Sequence, residues 1–297
     1  MTMWLILPRI VYGRVDSRGC SFSFALRRAR DLPEDFSLHA DLREFSFGAF
    51  LPQLEAEVGQ PPHPPRAILL NKSSLVIASH AASGDPCQII PLSDLEYVEY
   101  GHCLLQGWIS LSVMGRVRSF PFNTRTSLPV EELLRELTIT WTPANHDSRD
   151  SRDASFGQEL DLKFHNAESA ALYPDERVLA RFFSQTCSAH VRAWGTLPSH
   201  CQGPGDYLAI TQGRILWITD RNRGCYERYG SILRFAPLKN LTEVFVHYSG
   251  RNIGIICRLK GGNRWCIPLP VEAADNAFAF ADQALSVIHS SFAQHPD

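Results

Sequence analysis

Apolar and polar positions along this chain fall into one series of patterns that is written twice. "AILLNKSSLVIAS" (residues 67–79) is an apolar run, a polar turn and a second β-rich run, and "YLAITQGRILWIT" (207–219) repeats it. Each predicts a strand, a tight turn and a second strand. "PLSDLEYVEY" (91–100) and "PLKNLTEVFV" (237–246) come next. Pro91, Leu92, Leu95 and Val98 recur as Pro237, Leu238, Leu241 and Val244, 146 residues later. Leu95 and Leu241 therefore read as equivalent core positions. "WISLSVMGRVRSFPF" (108–122) and "IICRLKGGNRWCIPL" (255–269) follow, and Gly115 and Gly261–Gly262 mark hairpin turns between alternating, half-buried arms.

Each half then closes on a helical pattern. In "PVEELLREL" (129–137), Val130, Leu133, Leu134 and Leu137 stand at i, i+3, i+4 and i+7, one apolar face of a helix. In "PVEAADNAFAFADQAL" (270–285), Val271, Ala274, Phe278, Ala281 and Leu285 make the corresponding stripe. Pro129 and Pro270 suit a first helical turn, where no backbone donor is needed. Helices are predicted near residues 129–139 and 270–290, with Trp141 following the first rather than lying on its stripe.

Between the halves, residues 145–153 contain no large apolar side chain, and their alternating charges cannot build a core. The organisation predicted is residues 1–144, a linker over 145–155, and residues 156–297. "QPPHPP" (60–65) is a rigid break inside the first half. The leading segment predicts a hairpin: "RIVYGRV", a "DSRG" turn, then "CSFSFAL" with strict alternation.

Composition is that of ordinary globular protein, with 44% apolar, 20% charged and 10% aromatic residues. A net charge of −2 argues against nucleic acid as a partner, because nucleic-acid binders carry a basic excess. "MWLIL" at the start is too short for a membrane span or a secretory core, and no later run reaches that length, so the expectation is a soluble, cytoplasmic protein without a transmembrane segment. The eight cysteines contain no Cys-x-x-Cys and read as reduced thiols.

The run "IIPLSDLEYVEYG" after a strand pair, then "GWISLSV" and a closing helix, resembles the bacterial pleckstrin-homology-like (PH-like) domain. The stretch from "LDLKFHNAESAALYPDERVLARFF" to "PVEAADNAFAFADQAL" resembles a second copy. The resemblance spans roughly residues 45–140 and 157–290. It implies a mainly β (α+β) fold: two tandem antiparallel sandwiches or open barrels, each of seven strands and each closed by a C-terminal helix. It brings no catalytic residues, and such folds serve lipid headgroups, peptides and protein surfaces alike. The chain departs from lipid-binding eukaryotic members in two ways. "SQTCSAHVRAWGTLPSH" offers only Arg192 where they carry a dense basic cluster, and their terminal-helix tryptophan is missing.

No phosphate-cradling glycine loop, His-Glu-x-x-His helix or Gly-x-Ser-x-Gly elbow occurs, so no catalytic residue and no cofactor is assigned. Cys187, His190, His200 and Cys201 have the ligand types for tetrahedral zinc. Adjacent His200 and Cys201 would face opposite ways on an extended chain, so the stretch reads as an inter-strand loop and no metal is assigned. His102–Cys103 likewise reads as a loop entering "LLQGWISL". Trp108 and Phe122 read as core. The alternation leaves open whether Tyr97 and Glu99 or Val98 and Tyr100 face inward.

The two copies differ most at "DRNRGCYERYGSILR" (220–234), where Arg221, Arg223, Arg228 and Arg234 are interleaved with Tyr226 and Tyr229. Guanidinium forks beside aromatic rings suit phosphate or carboxylate recognition. A solvated hairpin tip whose charges guard a sheet edge is the competing reading. Arg221, Arg223, Tyr226, Arg228 and Tyr229 are the candidate ligand-binding residues. The function expected is a non-catalytic tandem binding module for a protein or peptide. A peripheral binder of anions or anionic lipid headgroups, acting through this loop, is the alternative, and an enzyme built on an unfamiliar site is a third class.

Overall fold

A computed structural model describes residues 22–33, 36, 44–54, 63–80, 87–103, 106–142, 160, 162–173, 176–184, 188–191, 199–202, 205–220, 230–249 and 252–293. The first arm of the expected leading hairpin and the linker over 145–155 lie outside these residues.

The fold is mainly β, with antiparallel sheets and a C-terminal helix. The first half runs β1 (Phe24–Leu26), β2 (Phe47–Leu51), β3 (Arg66–Leu70), β4 (Ser74–Ser79) and β5 (Gln88–Pro91). It continues through β6 (Leu95–Cys103), β7 (Gln106–Val113) and β8 (Arg116–Asn123) to helix α1 (Leu128–Trp141). The second half opens on α2 (Leu162–Ala171), a helix the sequence patterns do not predict, and β9 (Val178–Ser184). Then come β10 (Ser188–Val191), β11 (Ser199–Gln202), β12 (Asp206–Thr211), β13 (Arg214–Thr219) and β14 (Gly230–Pro237). β15 (Leu241–Ser249), β16 (Asn252–Leu259), β17 (Arg264–Leu269) and α3 (Ala274–Ala293) complete the chain.

The recurring Pro-Leu-x-x-Leu phrase is a corner at which the chain leaves one sheet for the next. Its backbone is tied the same way in both halves. Leu92 N–H donates to the Ser73 carbonyl and Leu238 N–H to the Gly213 carbonyl, each at 2.8 Å. Leu95, Val98, Leu241 and Val244 are all buried. The β7–β8 hairpin turns at Met114 and Gly115, with φ of 50° and 75°. That pair of positive values gives a turn whose twist matches the strands, and glycine takes it without a Cβ clash.

The halves do not sit side by side as separate sheets. β6 of the first half pairs antiparallel with β14 of the second, with Val98 opposite Phe235 and Cys103 opposite Gly230. One seven-stranded sheet results, in the order β8-β7-β6-β14-β13-β12-β9. β1–β5 form a second sheet, β15–β17 a third and β10–β11 a small fourth, and among the described residues none closes into a barrel. Across the seam, Arg234 Nε donates to Glu99 Oε2 at 2.7 Å. Asn240 Nδ2 donates to the carbonyls of Leu95 and Glu96 at 2.9 and 3.0 Å. The buried Glu96 carboxylate accepts from Ser112, from Gly115 N–H and from Asn263 on the β16–β17 turn. The two copies of the corner thus interlock.

Cover on both faces explains why "AILL" and "LVIA" are continuous apolar runs, because strands so placed bury every residue. On the inner face, Phe47, Ile68, Leu70, Leu75 and Ile77 join the core beneath α1, while Leu26, Leu32 and Phe36 cover Phe50, Leu69 and Val76 on the outer face. The strands of the second half are shared the same way. Phe183, Tyr207, Leu216, Ile218 and Phe235 enter the core of the first half, and Phe182, Leu208, Ile210 and Trp217 enter that of β15–β17 and α3.

Three side-chain expectations change. Trp141 is the last residue of α1 and lies on its buried stripe, its Nε1 donating to the Leu92 carbonyl at 2.9 Å and its ring against Phe235. The helix runs further than the apolar pattern of 129–137 because packing holds its last turn. The α3 stripe is Ala277, Phe280, Ala281, Ala284 and Ile288, whereas Val271 and Phe278 are exposed and Ala274 and Leu285 are half-buried. Alanine carries little hydrophobic signal, so the larger Phe278 and Leu285 dominate the pattern, but the small side chains are the ones that let the helix approach the sheet. Trp108 is half-buried on the face opposite Ile109 rather than in the sandwich core. Its indole lies over Gly101, where an added Cβ would come within 2.1 Å, and its Nε1 donates to Glu99 at 2.7 Å. Phe122 is in the core.

Candidate functional site

A cleft of about 1040 Å³ lies between α1 and α2, floored by β6, β13 and β14 of the shared sheet. α2 is a weakly amphipathic helix, and two contacts fix its buried side. Phe164 packs on Phe183 with ring centroids 5.2 Å apart, and Glu168 accepts a hydrogen bond from the buried Tyr207 hydroxyl. Burial, then the neighbouring Glu168 carboxylate, pushes the Tyr207 hydroxyl pKa far up.

One end of the cleft is tied shut. Tyr173 donates from its hydroxyl to the Arg135 carbonyl on α1 at 2.7 Å. Arg214 donates to the Ala171 carbonyl at 2.6 Å, pairs with Glu176 through two hydrogen bonds, and lies over the Tyr173 ring. Both members of that pair are almost wholly buried, so each charge depends on the other. Burial raises the Tyr173 hydroxyl pKa.

The other end carries the polar groups. The Tyr100 hydroxyl donates to Glu131 Oε1 at 3.1 Å, and burial with that carboxylate pushes its pKa far up. Lys163 Nζ stands 3.3 Å from Asp220 Oδ2 and 3.4 Å from the Gly230 carbonyl. His102 sits opposite Ser231 in the seam. Its pKa is lowered first by burial, with Lys163 adding to the effect and Glu131 opposing it. Among the described residues, His102 Nδ1 and Asp220 Oδ1 are buried without a hydrogen-bond partner. Between these ends the walls are apolar, formed by Leu134, Phe164, Ala167, Leu233 and Phe235.

Of the residues singled out from sequence, His102 belongs to β6 and lines the cleft, so the expected loop at His102–Cys103 is instead the end of a strand. The ambiguity at Tyr97–Tyr100 resolves into two covered faces. Val98 and Tyr100 turn toward the core under α1, and Tyr97 packs on Trp265 of the second core. Arg221, Arg223, Tyr226, Arg228 and Tyr229 lie outside the described residues, although Asp220 and Gly230, which flank them, both line the cleft. Arg234 from the same stretch is a seam residue, paired with Glu99 and lying over Trp217. Cys187 also lies outside, while β10 and β11 pair with His190 opposite His200, so strands replace the expected loop there. Sequence reasoning missed Glu131, Lys163 and Asp220 because each is an ordinary surface charge until two helices and a sheet meet.

No family model matches the chain, and no curated protein matches it. Among the described residues no helix is long and apolar enough to cross a membrane.

Proposed function

We propose that the chain is a non-catalytic binding module built from two PH-like copies, and that the cleft between α1 and α2 holds a segment of a protein partner. Support for the two copies comes from element order. β2–β5, then β6–β8, then α1 is answered by β9 and β12–β14, then β15–β17, then α3. The corner and fifth strands are offset by 146 residues, and the stripe Val130–Leu133–Leu134–Leu137–Trp141 maps onto Ala277–Phe280–Ala281–Ala284–Ile288 at 147.

The observation that carries the binding reading is the lining of the cleft. A cleft with apolar walls and polar groups gathered at one end is the shape that takes an extended or helical segment through a few apolar anchors. Its charged groups largely bond to one another, as Lys163 with Asp220 and Arg214 with Glu176 do, so they fix orientation more readily than they activate a substrate.

The test places a photo-crosslinking residue at Leu128 or Ala170 on the cleft and at Arg264 on the outer face of β17 as control. The same protein should be captured from both cleft positions and not from the control. Absence of a cleft-specific adduct would refute the reading. Salt-sensitive binding to vesicles of anionic lipid, without any protein adduct, would favour the headgroup alternative.

A further inference from the structure

The walls of the α1–α2 cleft are apolar, so the charges at its open end decide which segment can enter. Filling the cleft strips water from that end, and a carboxylate that loses water without gaining a counter-charge is disfavoured. Most of the charges there are already balanced. Glu132 pairs with Arg27 at 3.2 Å and Asp220 with Lys163 at 3.3 Å. Glu131 is the exception. It is exposed, it accepts from the Tyr100 hydroxyl at 3.1 Å, and among the described residues no ion pair reaches it. Arg135, one turn further along α1, acts instead on the Tyr173 hydroxyl at the tied end.

The hydrogen bonds point the same way. Asp220 gives Oδ2 to Lys163, while its Oδ1 and His102 Nδ1 are the buried atoms without a partner among the described residues. Burial, helped by Lys163 and opposed by Glu131, keeps the His102 imidazole neutral, and a neutral imidazole has one bare nitrogen that accepts. These groups share one neighbourhood, since Glu131 and Lys163 both act on His102 and Lys163 touches Asp220. Acceptors are in excess, and so is one negative charge. We infer that the open end of the cleft is an arginine subsite, in which a guanidinium of the partner segment pairs with Glu131 and donates to Asp220 Oδ1 and His102. A planar fork of N–H donors can serve acceptors carried by α1, β6 and the end of β13 together, whereas a lysine ammonium is a point charge. Its positive charge balances Glu131, so the filled end is neutral. β6 is already paired on both edges, with β7 and β14, so the segment is held through side chains and not as an added strand. The subsite rests on the reading of the cleft as a segment-binding site.

The test pans a phage library of short peptides against the full chain and, as counter-selection, against Ala170→Trp, which fills the cleft. Sequences enriched on the natural chain and lost on Ala170→Trp should carry an arginine at a fixed spacing from apolar residues. Selected peptides are then measured by fluorescence anisotropy. Replacing that arginine by citrulline, its neutral isostere, should weaken binding to the natural chain about tenfold or more. The same replacement should change little against Glu131→Gln, which keeps an acceptor for Tyr100. Panning on Glu131→Lys should exchange the arginine for Asp or Glu. Residues 131 and 170 are exposed, so all three variants should keep the melting temperature of the natural chain. If no enriched sequence depends on the cleft, the segment-binding reading falls and the subsite falls with it. Three results overturn the subsite alone: cleft-dependent sequences without arginine, an equal citrulline loss on Glu131→Gln, or an arginine preference that survives Glu131→Lys.

Discussion

Replacing Arg234 by Ala tests whether the seam between the halves is structural. The Arg234 side chain is 24% exposed and its partner Glu99 only 5%. Glu99 also accepts from Trp108 Nε1 at 2.7 Å, and Arg234 lies 4.3 Å from the centre of the Trp217 ring. Removing the guanidinium takes the Arg234 charge away from a buried carboxylate. Such losses cost about 3–5 kcal/mol when both partners are buried, and the partial exposure of Arg234 places this one near the lower end, about 3 kcal/mol. For a chain of this size that corresponds to a melting temperature about 6–10 °C lower. The assay is urea and thermal unfolding followed by tryptophan fluorescence, with six tryptophans reporting on both halves. The double variant Arg234→Ala/Glu99→Gln should be more stable than Arg234→Ala alone, because a buried charge is removed while an acceptor for Trp108 remains. A loss under about 1 kcal/mol, or a double variant no better than the single one, would show that the pair behaves as a surface contact and that the seam does not depend on it.

Leu95→Ala and Leu241→Ala should each cost about 2–5 kcal/mol, since both side chains are buried at equivalent corners; denaturant midpoints with unchanged slopes are the measurement. His102 is held below its ordinary pKa by burial, so its stabilising contribution is present above the unfolded-state value and is lost as pH falls through the histidine range. His102→Asn should therefore flatten the fall in melting temperature between pH 7.5 and 5.5, and an unchanged slope would refute this. Cys266 is exposed, whereas Cys257 is buried with its thiol pushed far up by burial, so native alkylation read by mass spectrometry should modify Cys266 and spare Cys257. Combined Arg221→Ala, Arg223→Ala and Arg228→Ala should leave the melting temperature nearly unchanged; lost binding to anionic vesicles in that variant would support the lipid alternative, and unaltered binding would remove the loop from consideration.

The order of elements was legible in one dimension because local periodicity writes it. Apolar runs broken by "NKSS" and "TQGR" are the β3–β4 and β12–β13 pairs, Gly115 and Gly261–Gly262 mark the turns found, and Val130 to Leu137 is the buried face of α1. The equivalence of Leu95 and Leu241 followed from spacing alone. What the sequence could not specify is which strand edges meet. Pairing of β6 with β14 is made by backbone hydrogen bonds, which every residue but proline can offer, so "VEYGHC" and "GSILRF" carry no mark of belonging together. Everything that depends on that pairing was decided by the tertiary structure. It made Arg234, one of the arginines in the stretch 220–234, a seam residue, gave α2 a surface for Phe164 and Glu168, and gathered Glu131, Lys163 and Asp220 around one cleft. The α3 stripe was settled the same way. Ala281 was on the expected stripe and is buried, but close approach of helix to sheet placed Ala277 and Ala284 beside it in place of Phe278, because packing rewards fit at short range while a hydrophobic pattern registers only size and polarity.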